Sequence, residues 1–236
     1  MSRLELKDVS THYGTSHILF DVSLSVEAGE VVCLLGRNGA GKTTTIKTIM
    51  GLARASSGSI SFAGADLVGL EPHDIARLGV GYVPDERLIF PDLTVRENLE
   101  IATKQGVDPG LEEWTVGRIY EMFPALAPLD GNLGGYLSGG EQQMLTVGRT
   151  LMGNPGLLLL DEPVEGVAPI VVQQLGRQIR KLKDMGLTIL FSEQNLQFAT
   201  KISDRAYIIE KGRIQFQGTI EELEKNSEIQ EKYLMI

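Results

Sequence analysis

The chain has 236 residues, enough for one substantial core, and its 42% apolar, 6% aromatic and 22% charged residues exclude a disordered or fibrous protein. Its 31 acidic against 22 basic residues give a net charge of −9, which repels phosphate backbones and argues against a dedicated binder of nucleic acid or anionic lipid. The opening MSRLELKDVS has no apolar signal core, and no run approaches the roughly 18 apolar residues of a membrane span, so a cytoplasmic chain that does not itself cross a membrane is expected.

In chain order, LELKDVS, ILFDVSLSV and EVVCLL alternate or run apolar between turn residues and read as short strands. VVCLL, residues 31–35, is apolar throughout and should be a central strand. Its Cys33 is the only cysteine and reads as a buried small hydrophobe. His12, His17 and His73 lack metal-ligand spacing. The strand runs directly into GRNGAGKTT, residues 36–44, which matches G-x-x-x-x-G-K-[ST] in the strand-to-helix setting of a P-loop. Gly36, Gly39 and Gly41 let the main chain of Arg37, Asn38 and Ala40 curl with its N–H groups inward, and the following helix adds its positive end. Lys42 then reaches the β- and γ-phosphates, Thr43 ligates Mg²⁺ and Thr44 reaches the α-phosphate, so the expected ligands are ATP and Mg²⁺.

The P-loop helix is expected to run about three turns, from Lys42 to Leu52, closed by Gly51. SGSISFAG reads as a strand, and DIARLGVGYVP as a short helix and a strand. Strand patterns vanish over residues 86–150, where TVRENLEIATKQ and LEEWTVGRIYEMFPAL read as amphipathic helices, so an inserted helical subdomain is expected. Residues 1–85 and 151–236 would supply the nucleotide-binding core and its β subdomain within a single domain. Then come LLLLDEP as a strand, a helix at 169–185, TILFSEQ as a strand, a helix near 195–202, the strands RAYIIEKG and RIQFQG, and a final acidic helix over TIEELEKNSEIQEKYL. This alternation implies an α/β fold with a mostly parallel sheet covered on both faces.

The apolar run GLLLLDEPVEG, residues 156–166, stops on Asp161 and Glu162. Beside a P-loop, Asp161 sits where Mg²⁺ compensates its charge, and Glu162 is free to orient or deprotonate the water that attacks the γ-phosphate. The alternative is a carboxylate pair favouring the start of the next helix, worth about 0.3–1 kcal/mol.

Between these motifs lies YLSGGEQQMLTVGRTLMGNP, in which Leu137-Ser138-Gly139-Gly140-Glu141 resembles the signature motif of the ATP-binding subunits of ABC transporters. The resemblance spans essentially the whole chain. It implies a P-loop NTPase (RecA-like) core with an N-terminal antiparallel β subdomain and an inserted helical subdomain. Ser138 and two glycines at a helix start make a second anion-binding surface, although S-G-G is also an ordinary cap. In the family, two such domains close head to tail, and Ser138, Gly139, Gly140 and Glu141 would cover the γ-phosphate held by the partner's P-loop. The resemblance therefore implies a dimer with itself or with a second ATP-binding subunit. Tyr13 falls where an aromatic ring stacks on adenine, a partly exposed strand tyrosine being the other reading.

YVPDERLIFPDLTVRENL, residues 82–99, corresponds to the loop that senses Mg²⁺ and touches the membrane subunit. Asp85 stands where the superfamily usually has Gln, and Leu88, Ile89 and Phe90 are either permease contacts or core at the subdomain junction. After TILF most members carry a histidine against the γ-phosphate. Here Gln194 stands in its place and can donate an amide hydrogen or orient water but cannot become cationic. Ala168 stands near the place of an aspartate that crosses to the partner, which leaves that contact to backbone groups or Glu165. The stretches GRNGAGKT, IFPDLTVRENL, SGGEQQML, EGVAP and EQN resemble the branched-chain amino acid importer subgroup.

The resemblance thus implies an ATPase, with Lys42, Glu162 and Gln194 catalytic and Thr43, Asp85 and Asp161 toward Mg²⁺. It would energise uptake of branched-chain amino acids or a related small polar solute such as urea or an amide. Its partners would be transmembrane permease subunits and, indirectly, an extracytoplasmic solute-binding protein, at the cytoplasmic face of the membrane. The competing class, a soluble ABC ATPase acting on nucleic acid or ribosomes, typically carries a long coiled coil or two cassettes, and neither pattern is in this sequence. A guanine-reading N-K-x-D is also absent.

Overall fold

The structure, a computed structural model, describes residues 2–106 and 108–234. Strands β1 (Ser2–Tyr13) and β2 (Ser16–Glu27) pair antiparallel, and with β4 (Ala55–Phe62) and β5 (Ala65–Asp66) they form a four-stranded sheet in the order β2-β1-β4-β5. A second, six-stranded sheet has the order β10-β9-β3-β8-β7-β6, from β3 (Val31–Leu35), β6 (Val80–Val83), β7 (Leu157–Asp161), β8 (Thr188–Glu193), β9 (Arg205–Glu210) and β10 (Arg213–Thr219). All of its pairings are parallel except β9 with β10.

Every residue of VVCLL and LLLLD is buried, as expected of inner strands covered on both faces. Alternation sorts them: Val31, Cys33, Leu35, Leu158 and Leu160 join one core with residues of helices α5 (Gly139–Leu151), α6 (Pro169–Asp184) and α7 (Leu196–Ile202). Val32, Leu34, Leu157 and Leu159 face a second core with helix α1 (Lys42–Ile49) and the antiparallel sheet, through Leu6, Leu24 and Phe62. Between β6 and β7 the described residues form α3 (Val95–Glu100), α4 (Val116–Met122), α5 and two short 3-10 turns; α2 (Pro72–Arg77) precedes β6.

Helices α1, α3 and α4 are shorter than their patterns predict, and the last helix is broken. α1 stops at Ile49 because Gly51 turns left-handed (φ +71°) and the N–H groups of Leu52 and Ala53 fold back onto the Lys47 carbonyl. Residues 111–115 stay outside α4: Thr115 caps it, and the Trp114 N–H is diverted to Asn154 Oδ1 at 2.5 Å. The acidic C-terminal segment is two helices, α8 (Ile220–Lys225) and α9 (Ser227–Tyr233), divided at Asn226, whose side chain accepts the Ile229 N–H.

In register, Leu35 of β3 pairs with Glu193 of β8, and Asp161 of β7 pairs with Ser192. The carboxyl ends of three adjacent parallel strands therefore open into one crevice, the usual place for a ligand in an open α/β sheet.

Candidate functional site

The P-loop leaves β3 at Gly36, where any Cβ would stand 2.5 Å from the Ile209 carbonyl, so only glycine fits against β9. Gly41, at φ +114°, precedes the first turn of α1. Lys42 is buried, and its Nζ donates to the carbonyls of Gly36 (2.8 Å) and Arg37 (3.1 Å) and lies 3.0 Å from Glu162 Oε1. Tyr13, Ile18, Gly39, Gly41, Lys42, Thr43, Thr44 and Glu162 line a cavity of about 270 Å³. Tyr13 is half-exposed and lines this cavity beside the phosphate cradle. Arg37 and Asn38 are exposed at the crest of the loop, and Ala40 is buried beneath it.

Across the crevice, Asp161 is fully buried. Its Oδ1 accepts hydrogen bonds from Thr43 Oγ1 (3.0 Å) and Ser192 Oγ (2.6 Å), while Oδ2 is buried with no partner. Burial raises the Asp161 carboxyl above its ordinary range, the two hydroxyls pull it back, and the charges of Asp85 and Glu162 push it up again. Asp85 is itself exposed and acts on the site through its charge. Glu162 turns left-handed (φ +44°), a strain of roughly 1–3 kcal/mol that swings its side chain from the strand tip to Lys42, while its N–H donates to Ser192 Oγ at 2.9 Å. Burial pushes the Glu162 carboxyl up, but the hydrogen bonds from Glu165 and Lys42 outweigh it and hold the group below the usual carboxylate range. Glu165 is the other half of that pair: its hydrogen bond to Glu162, followed by the Glu162 charge, raises it to about 7.

Gln194 follows β8 with its side chain exposed and its N–H on Glu193 Oε2 (3.1 Å). Ser138 caps α5 in a capping box: its hydroxyl accepts the Glu141 N–H (3.4 Å), and the Glu141 carboxylate accepts the Ser138 N–H (2.7 Å). Ser138 is exposed, and a Cβ at Gly139 would meet Arg87 Nη1 at 2.7 Å, one at Gly140 Val171 Cγ2 at 2.6 Å. Ala168 makes no side-chain cap at the start of α6. Leu88 and Phe90 are exposed and Ile89 packs against the core; Arg149 stacks over the Phe90 ring at 4.9 Å and donates to the Leu88 carbonyl, fixing this segment.

Sequence reasoning assigned no role to Ser192, Glu193 or Arg87. Ser192 bridges Asp161 and Glu162, and Arg87 donates to the carbonyls of Glu165 (3.3 Å) and Gly166 (3.1 Å). A signal for Glu193 was present: TILFSE, like LLLLD, is an apolar run that ends on a buried carboxylate.

Residues 19–165 match the family model described as ABC transporter. The chain is 43% identical over 233 residues to the high-affinity branched-chain amino acid transport ATP-binding protein BraG of Pseudomonas aeruginosa, covering 98% of this chain and 99% of that one. It is 37% identical over 236 residues to the lipopolysaccharide export system ATP-binding protein LptB of Haemophilus influenzae, covering 99% and 98%. A solved nucleotide-free ATP-binding cassette from an ABC transporter superposes with a TM-score of 0.84 at 30% identity, over 98% of this chain and 97% of that one. The chain belongs to the ABC transporter family and is one of its ATP-hydrolysing cassettes.

Proposed function

We propose that this ATPase energises an importer of branched-chain amino acids or a related small polar solute. It would sit at the cytoplasmic face of the membrane on permease subunits, beside a second ATP-binding subunit and fed by an extracytoplasmic solute-binding protein. The near full-length similarity to BraG carries this reading, and among the described residues no helix is long and apolar enough to cross a membrane. Residues 86–150 serve as the helical subdomain that joins the ATPase core to the permease, through Leu88 and Phe90. Similarity to LptB makes an export ATPase the second reading.

The site supports a division of labour. Arriving phosphates draw Lys42 away from the Gly36 and Arg37 carbonyls and from Glu162, an exchange of one charge-assisted contact for another. Glu162, released from Lys42 and still accepting the Glu165 hydrogen bond, accepts the proton of the attacking water, and the Gln194 amide orients that water or a γ-phosphate oxygen. The residues also fit a magnesium ion: the unpartnered Asp161 Oδ2 and the Thr43 hydroxyl offer a few hard oxygens, suiting a cation that keeps several waters and takes the rest of its ligands from phosphate. Thr43 and Asp161 would hold it with Asp85 facing its waters, and when bound it neutralises charge on the transferring phosphoryl group. The exposed Ser138 end of α5 would close over the partner's nucleotide.

Purification of the tagged chain from detergent-solubilised membranes tests the transport reading. Multispanning permease subunits should copurify, and in proteoliposomes the solute-loaded binding protein should raise ATP hydrolysis severalfold. Recovery without any membrane-spanning protein, or stimulation that requires lipopolysaccharide, would sink the importer assignment.

A further inference from the structure

Glu193 ends β8 at 3% exposure, inside a strand whose other residues are also buried. Oε2 accepts the N–H groups of Gln194 and Asn195, both at 3.1 Å, and the Val164 N–H lies close enough to the carboxyl to favour its charged form. The other oxygen, Oε1, is buried and unpartnered. The main chain of the same residue accepts the Gly36 N–H at 3.1 Å. Glu193 therefore touches the loop that carries Gln194, the turn that leaves Glu162, and the first residue of the P-loop.

Such a group is costly. A buried carboxyl with one oxygen unpaired is destabilising relative to an apolar residue of the same size, which is often neutral or better at such positions. Burial is also the leading cause that raises Glu193 to about 7. The return is geometric: the Gln194 loop is pinned to the strand end beside the turn that follows Glu162, and a displacement of about 1 Å in a reacting group costs on the order of a hundredfold in rate.

We propose that Glu193 is a positioning residue for ATP hydrolysis, its carboxyl fixing the Gln194 loop at the strand end beside the turn that follows Glu162. The inference rests on the reading above, in which Glu162 and Gln194 act on water and the γ-phosphate. It touches no reacting atom itself.

The test uses the full chain with Glu193→Met, which fills the same space without an acceptor, Glu193→Gln, which keeps an acceptor oxygen, and Glu162→Gln as reference. ATP dependence of hydrolysis, binding of a fluorescent ATP analogue, and thermal melting are measured on each. Glu193→Met should lower kcat by about tenfold or more while KM and nucleotide affinity stay within about threefold, and Glu193→Gln should recover kcat to within about threefold of the parent. A Glu193→Met chain with kcat within twofold of the parent overturns the proposal. So does a loss of kcat matched by lost nucleotide binding or by melting below the assay temperature, as does a Glu193→Gln chain as slow as Glu193→Met. Undiminished turnover of Glu162→Gln is a different failure: it removes the reading of Glu162 and leaves the Glu193 comparison to be judged on its own rates.

Discussion

Carboxylates crowd the crevice around Lys42: Glu162 at 3.0 Å, Glu165 behind it, Asp161 at the neighbouring strand tip and Glu193 beyond. The hydrogen bond to Glu162 raises Glu165 and burial raises Glu193, each to about 7, while Glu162, which accepts from Glu165 and Lys42, is held below the usual carboxylate range. For Glu193 the direction has a consequence for stability. Folded, it holds its proton up to about pH 7; unfolded, it releases it near 4.5, so between these values the folded chain binds more protons and stability falls as pH rises. The whole effect is at most about 3 kcal/mol. The melting temperature of Glu193→Gln should accordingly change less between pH 5 and 7 than that of the parent, with Glu165 contributing equally to both. Parallel pH profiles for the two proteins would show that Glu193 does not titrate there.

Among elements, the segment between β6 and α3 is the junction where a permease signal would enter. Arg87 lies at its centre: its Nη2 donates to the carbonyls of both Glu165 and Gly166, and its Nη1 packs against Gly139 at the start of α5. A push on Leu88 or Phe90 would thus be relayed through one planar group to both the turn after Glu162 and the start of α5. Arg87→Ala should leave basal hydrolysis within about threefold of the parent and cut permease-dependent stimulation by fivefold or more, measured in reconstituted vesicles; intact stimulation would show that Arg87 is packing only. The P-loop and the Asp161–Glu162 pair were legible in the sequence because each is a contiguous motif whose partners are set by the strand-turn-helix it lies in. Arg87 was not, since its acceptors lie 78 and 79 residues away and are main-chain atoms that carry no side-chain signature. Nor was the break at Asn226 inside an acidic helical pattern, where one side-chain cap overrides residue propensity.

At the scale of the molecule, a parallel sheet between two hydrophobic cores holds the ends of β3, β7 and β8 side by side, and the chemistry is placed by that register. Alternation and apolar runs made this architecture readable from sequence, since inner strands such as VVCLL and LLLLD have no other stable place. What the pattern left out was the bonding at the strand ends, where the Ser192 hydroxyl joins Asp161 to the Glu162 N–H and the Glu193 carbonyl accepts the Gly36 N–H, contacts that no periodicity records. The most direct check of the account is one pair of assays on Glu162→Gln: equilibrium binding of ATP and steady-state phosphate release with Mg²⁺. Binding within about threefold of the parent, with release reduced by about a hundredfold or more, is the predicted result. Phosphate release at the parent rate would contradict the assignment of Glu162 as the group that takes the proton.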